Sequence, residues 1–205
     1  MIDIGFEWSR GLAYECVPAP NGKVKIIRQT GKKDRPFEPL AITSKKPLYL
    51  RFANLDGTAN ACLGFARAWG LLALPAAIGA WEGLDGWQGE IKKMRSLISF
   101  LGVDRGDPGG ILAASRAKMK VTQLSVSLES RTRGERPSLV LQPETLLAAM
   151  QLQLARSVAG DGSLRVCKQC GEWFEAGPGD ARRSIAIFCT ERCKNRHHYL
   201  RRVGK

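Results

Sequence analysis

The chain has 205 residues, 44% of them hydrophobic, which suits one medium domain with a small appendix and a core of its own. Its 32 Lys and Arg outnumber 19 Asp and Glu, for a formal charge of +13, so a polyanionic partner fits better than an acidic small substrate. The longest apolar run, residues 71–80, contains Pro75 and Gly79 and falls well short of the roughly 20 residues that a membrane helix requires.

The opening Met1-Ile2-Asp3-Ile4-Gly5-Phe6-Glu7-Trp8 carries early acids where a signal peptide would have its apolar core. Together with cysteines at metal spacing, and Cys16 and Cys62 isolated, this predicts a soluble, cytoplasmic protein with no membrane partner. Residues 1–47 read as an irregular, β-containing N-terminal arm. The run Val24-Lys25-Ile26-Ile27 after Asn21-Gly22 is a hairpin or turn signal, and the Lys and Arg between 23 and 35 read as a solvated loop.

Residues 47–57 lead into the first clear helix. Asp56 or Thr58 is its cap, Cys62, Phe65, Ala66 and Trp69 recur on one face, and Gly70 closes it. That places Cys62 on a buried stripe as a small, inert hydrophobe. A Gly- and Trp-rich connection over 79–89 follows, with Trp81 and Trp87 as large anchors onto the core. A second helical face then runs through Ile91, Met94, Leu97, Ile98 and Leu101, with Lys92, Lys93 and Arg95 off it.

Residues 102–110 are turn-rich and lack a phosphate-loop Lys and Ser. Val121, Leu124, Val126 and Leu128 alternate with polar residues and Ser138-Leu139-Val140-Leu141 returns after a polar turn at 131–137, which predicts a two-stranded hairpin. Pro143 suits the first position of a helix whose apolar face is Leu146, Leu147, Met150, Leu154 and Val158, ending at Gly160-Asp161-Gly162. The domain boundary is placed there, giving a helical unit at 48–160 and a finger at 161–205.

The finger carries the sharpest chemistry. Cys167-Lys168-Gln169-Cys170-Gly171 and Cys189-Thr190-Glu191-Arg192-Cys193 are two cysteine pairs at ligand spacing, so Cys167, Cys170, Cys189 and Cys193 are the ligands expected for one structural zinc ion. The predicted order is knuckle, a strand through Glu172-Trp173-Phe174, a loop at 177–180, a strand over 184–188, then a helix starting near Thr190. His197 follows Cys193 by one turn, but four thiolates complete a tetrahedron without it. A closed site leaves no position for a water, and no paired acid-base motif or nucleophile elbow is present, so no enzyme activity is expected. The predicted fold class is α+β: a mainly helical N-terminal domain with a small β-hairpin component, plus a C-terminal treble-clef or ribbon-like zinc finger.

Arg182, Arg183, Arg192, Lys194, Asn195, Arg196, His197, His198, Arg201 and Arg202 form the candidate nucleic-acid-binding set. Such a cationic tail neutralises phosphates and releases counterions. The competing expectation is a protein-interaction module whose zinc is purely structural. DNA is placed ahead of RNA as the partner, and a homo-oligomer is left open.

The residues Arg165-Val166-Cys167 through Phe174, Arg182-Arg183, Phe188-Cys189, Cys193-Lys194-Asn195-Arg196 and Arg201-Arg202 resemble the CGNR-type zinc finger. That finger closes proteins with an N-terminal ABATE domain, grouped as stress-induced bacterial transcription regulators. The segment Leu48-Tyr49-Leu50-Arg51-Phe52-Ala53-Asn54-Leu55-Asp56, with Trp69-Gly70-Leu71-Leu72 after its helix, is similar to the opening of that domain. This chain has Cys-Lys-Asn-Arg in place of Cys-Gly-Asn-Arg and closer spacing within both cysteine pairs. The resemblance implies an ABATE-like unit at 48–160, metal-ligand roles for the same four cysteines, and DNA-binding regulation through the basic tail.

Overall fold

The computed structural model describes residues 2–4, 6–20, 22, 24–34, 36–38, 46–101, 123–129, 138–159, 163–176 and 186–203. The expected loops at 102–110 and 177–180, the polar turn at 131–137, the helix stop at 160–162, and Arg182 and Arg183 lie outside the described residues. In chain order the elements are β1 (Ile2–Ile4), β2 (Tyr14–Pro18), β3 (Lys25–Gln29), α1 (Leu48–Ala53), α2 (Ala59–Trp69), β4 (Trp81–Gly83), α3 (Leu84–Leu101), β5 (Leu124–Glu129), β6 (Ser138–Pro143), α4 (Leu146–Ala159), β7 (Ser163–Val166), β8 (Trp173–Ala176) and α5 (Glu191–Val203). The fold is α+β, with small sheets around a helical centre and four cysteines gathered near the C-terminus.

The run after Gly22 forms the second strand of a hairpin. β2 and β3 pair antiparallel with Cys16 opposite Ile27, and Gly22 N–H donates to the Ala19 carbonyl at 2.7 Å to close the turn. β4 extends this sheet, with Ile27 opposite Glu82. The alternating run at 124–128 pairs antiparallel with β6, as its period of two predicts. β1 adds to the far side of β6 in parallel, Ile2 opposite Leu139, so the chain's first strand completes a sheet whose other strands come much later. Phe6, Trp8, Tyr14 and Ile27 from the first 47 residues share one core with the helices.

The centre of that core is α1. Leu48, Tyr49, Leu50, Phe52 and Ala53 are buried, and exposed Arg51 lays its guanidinium 5.8 Å from the Trp69 ring. A helix buried on nearly every side shows no amphipathic stripe, so the sequence presents it only as a lead-in to the next helix. In α2, Thr58 Oγ1 accepts from Ala61 N–H at 3.2 Å while Asp56 Oδ1 accepts from Thr58 N–H at 2.8 Å, so both predicted capping residues act. Cys62 is buried there, and burial, followed by the charges of Asp56 and Cys16, pushes its thiol up to about 11. Gly70 ends the helix at φ 96°, where a Cβ would stand 2.9 Å from Trp8 Nε1.

The connection expected over 79–89 is ordered instead as β4 and the first turns of α3, which begins at Leu84. Trp87 is buried, as an anchor should be, whereas Trp81 is half exposed. Arg95, expected off the packed face, donates to the carbonyls of Ala53 (2.7 Å) and Leu55. It thereby satisfies backbone acceptors that the end of α1 leaves open. Pro143 ends β6 rather than starting the next helix: the cap of α4 is Thr145, whose Oγ1 accepts from Ala148 N–H at 3.1 Å.

Glu82 explains how the chain after α2 is held. Its carboxylate accepts from the amides of Leu72 (2.9 Å), Ala73 (2.7 Å) and Leu74 (3.1 Å) and from Trp87 Nε1–H (2.8 Å). Bonds to an ionised acceptor are the stronger kind. Glu82→Ala removes the acceptor for a buried indole and three amides at once, and an expected loss of about 2–4 kcal/mol follows from the cost of orphaned donors. The check is the urea midpoint at unchanged m-value; a loss below about 1 kcal/mol would mean that water replaces the carboxylate.

Candidate metal centre

The finger is built on a hairpin that faces two ways. Val166 lies opposite Trp173 and Leu164 opposite Glu175, so these four residues share one side of the hairpin while Phe174 and Ala176 point to the other. Leu164 and Trp173 join the main core, while Phe174 and Ala176 form a second small core with Cys167 and Cys189, against which Ala186, Phe188 and Cys193 pack. The strand expected near Glu172-Trp173-Phe174 is present as β8; its partner is β7, which precedes the knuckle, in place of the strand predicted over 184–188.

The hairpin is also fastened by polar side chains of the helical unit. Asn54 Nδ2 donates to the Trp173 carbonyl at 3.1 Å and Asn54 Oδ1 accepts from Trp173 N–H at 2.9 Å, the pattern of a neighbouring strand reproduced by one side-chain amide. The Tyr49 hydroxyl, at the buried end of α1, contacts the Glu175 carboxylate and lies 3.2 Å from Ser157 Oγ. Burial, then the Glu175 charge, raises the Tyr49 phenol and keeps it neutral. Lys46 pairs with Glu172.

After β7 the chain turns through Cys167-Lys168-Gln169-Cys170. Gly171 N–H donates to the Cys167 carbonyl and Cys167 N–H to the Glu172 carbonyl, both at 2.9 Å. Gly171 has φ 72°, the left-handed conformation that lets the chain reverse and bring both sulfurs to the same side. Lys168 N–H bonds the Ile187 carbonyl at 3.0 Å and ties this knuckle to the segment that carries the second pair. Ala186, Ile187 and Phe188 are not in a strand, in contrast to the predicted strand over 184–188, whose first two residues lie outside the described ones.

The second pair is set by the start of α5. Thr190 is its cap: Oγ1 accepts from Cys193 N–H at 3.2 Å and its carbonyl from Lys194 N–H at 3.1 Å. Cys189 therefore sits just before the helix and Cys193 in its first turn. All four sulfurs lie within 4.8 Å of one another, with Cys170 Sγ to Cys189 Sγ at 3.6 Å and Cys189 Sγ to Cys193 Sγ at 3.5 Å. A tetrahedron with metal–sulfur bonds near 2.3 Å has edges of about 3.8 Å, so this spacing fits one metal ion.

Electrostatics within the cluster are uneven. Burial opposes ionisation of the Cys167 thiol, yet amide donors of Cys189, Cys170 and Gln169 outweigh it and bring it down to about 6; the Cys189 amide lies 3.4 Å from Cys167 Sγ. Burial and the neighbouring sulfurs push the Cys189 and Cys170 thiols up. A divalent cation overrides that difference, since coordination deprotonates a thiol outright.

Every predicted nucleic-acid contact that the structure describes is on α5. Arg192, Lys194, Asn195, Arg196, His198, Arg201 and Arg202 are exposed, and the helix buries no residue. His197 is half-buried and outside the sulfur cluster, its ring 5.1 Å from Phe188. Desolvation and the charges of Lys168, His198 and Arg201 lower its pKa. Lys168 is an exposed cation beside the same helix that the candidate set omits; its place inside the first cysteine pair was the signal available. No family model, curated protein or solved structure matches the chain. Among the described residues no helix is long and apolar enough to cross a membrane.

Proposed function

We propose that this chain is a zinc-finger nucleic-acid-binding protein, and more specifically a DNA-binding bacterial transcription regulator. The observation that carries the reading is the four-sulfur cluster at the foot of a helix that buries no residue completely and carries five Arg and Lys against one Glu. Four thiolates in a tetrahedron suit Zn²⁺, which takes that geometry without redox chemistry, and such a site is closed and structural. The knuckle, hairpin and capped helix form a treble-clef-like finger, in keeping with the similarity of residues 165–202 to the CGNR type. The helical unit at 48–160 is then the ABATE-like partner domain, and the protein is cytoplasmic.

The helix supplies phosphate contacts through cations that protrude into solvent. Replacing Arg196 and Arg201 by Glu is expected to weaken duplex binding and to lower the slope of log K against log salt by about 2, with zinc content unchanged. An anisotropy titration of random DNA and RNA at several salt concentrations is the measurement, and a slope equal to the wild type's would overturn the reading. The competing reading, a protein-interaction module with purely structural zinc, draws on the bonds of Asn54 and Tyr49 that dock the finger on the core. It requires that neither nucleic acid bind with a measurable salt slope.

A further inference from the structure

The placement of α5 on the finger separates its residues into an inward side, two flanks and an outward face. Of its described residues only Cys193 and His197, one turn apart, are not fully exposed, which fixes the side that meets the metal centre and Phe188. With 3.6 residues per turn, the opposite side carries Arg192, Asn195, Tyr199 and Arg202, spaced i, i+3, i+7 and i+10, with His198 and Glu191, the latter ion-paired to Lys194 at 3.1 Å, along its edge. All four are exposed, Tyr199 at 63%. Arg196 projects on one flank and Lys194 and Arg201 on the other.

We infer that the face formed by Arg192, Asn195, Tyr199 and Arg202 reads base edges in the major groove of double-stranded DNA, while Arg196, Lys194 and Arg201 on the flanks bind phosphates. This rests on the DNA-binding reading above. A helix is about 10–12 Å across, and the B-form major groove, about 12 Å wide, admits one whose leading face is unobstructed. Arg192 and Arg202 lie about 15 Å apart along the axis at 1.5 Å per residue, roughly four base pairs of duplex.

The residue types match the groove's chemistry. Asn presents one donor and one acceptor in a plane, the complement of adenine N7 and N6, and Arg presents a fork that matches guanine O6 and N7. Cations on both flanks put positive charge against both strands when the outward face is down in the groove. RNA duplexes close their major groove to side chains, and single strands are held on platforms of successive aromatic rings. The outward face offers one aromatic ring, that of Tyr199, between two guanidinium groups and an amide, so duplex DNA is the occupant that its chemistry favours.

The test uses the full, zinc-loaded chain. Sites are selected from a random duplex library, and the affinity ratio between the selected site and an unrelated duplex is measured for wild type, Asn195→Ala, Arg202→Ala, Arg196→Ala and Lys93→Ala. Lys93 is exposed on α3 and pairs with Glu90, so it serves as the neutral control. Asn195→Ala and Arg202→Ala are each expected to reduce the ratio roughly 5- to 150-fold and to relax selection at one base position. Arg196→Ala should lower both affinities together, and Lys93→Ala should change neither. Salt-dependent duplex binding without an enriched site, or an enriched site that the Asn195 and Arg202 variants retain unchanged, overturns this inference alone. Absence of any duplex binding at low salt overturns it together with the reading on which it rests.

Discussion

Cys189→Ala, or treatment with a metal chelator, is expected to abolish the folded C-terminal region while leaving the helical core intact. Cys189 is buried and lies within 3.6 Å of two other ligand sulfurs, and its amide bonds a third, so its loss removes a ligand and part of the small core together. Among the described residues that core consists of Cys167, Phe174, Ala176 and Cys189, with Ala186, Phe188 and Cys193 packed against it. Units below roughly 40 residues seldom fold on such a core without a metal or a disulfide. Structural zinc in comparable sites contributes about 10–16 kcal/mol of apparent binding energy, so with the zinc ion proposed above little of the region beyond β8 should survive chelation.

The readouts differ for the two parts. No residue of α5 is fully buried, and a helix of its length is marginal alone in water, so its share of the helical circular dichroism signal should disappear on chelation. The core around α1 buries Phe52, Trp87, Ile91 and Met150 independently of the sulfurs, so near-ultraviolet signals from Trp87 should persist. Metal content measured beside the spectra ties the change to the ion. Full helicity in a metal-free preparation would show that the cluster is not what holds α5.

The residues that were legible in the sequence are those whose spacing carries the chemistry. Four cysteines in two close pairs announce a shared site, because only a few backbone paths satisfy both pairs, and the structure brings all four together. Hairpins at 14–29 and 124–143 were readable in part from Gly22 and from the alternation at 124–128, both local signals. What could not be read depends on contacts distant in sequence. The side-chain amide of Asn54 completes hydrogen bonds at Trp173, Arg95 supplies donors to the end of α1, and Glu82 gathers the chain after α2. Each is a polar residue on a surface-like position whose partner is set by tertiary packing. Pro143 misled because a proline suits both the end of a strand and the start of a helix, and only the Thr145 cap decides between them.

Phe52→Ala is expected to be the most damaging single substitution in the helical unit, at about 3–5 kcal/mol for a large aromatic truncated in a packed core. Phe52 has no exposed surface, and its ring meets Phe65 edge-on at 5.3 Å and Trp87 at 6.1 Å. Its neighbours on α2 and α3 cannot close the space without moving those helices, so a cavity remains. Against a total stability on the order of 5–15 kcal/mol, that loss brings the midpoint of urea unfolding down sharply at unchanged m-value. Phe52→Leu, which keeps most of the volume, should cost much less, and near-equality of the two variants would refute the cavity argument. The position also bears on the finger. Phe52 fixes the short helix that carries Tyr49 and leads into Asn54, the residues that dock the β7–β8 hairpin. Asn54→Ala should therefore cost less in the Phe52→Ala background than in the wild type, a non-additivity of about 0.5 kcal/mol or more in a double-mutant cycle. Strict additivity would mean that the core and the finger are held independently.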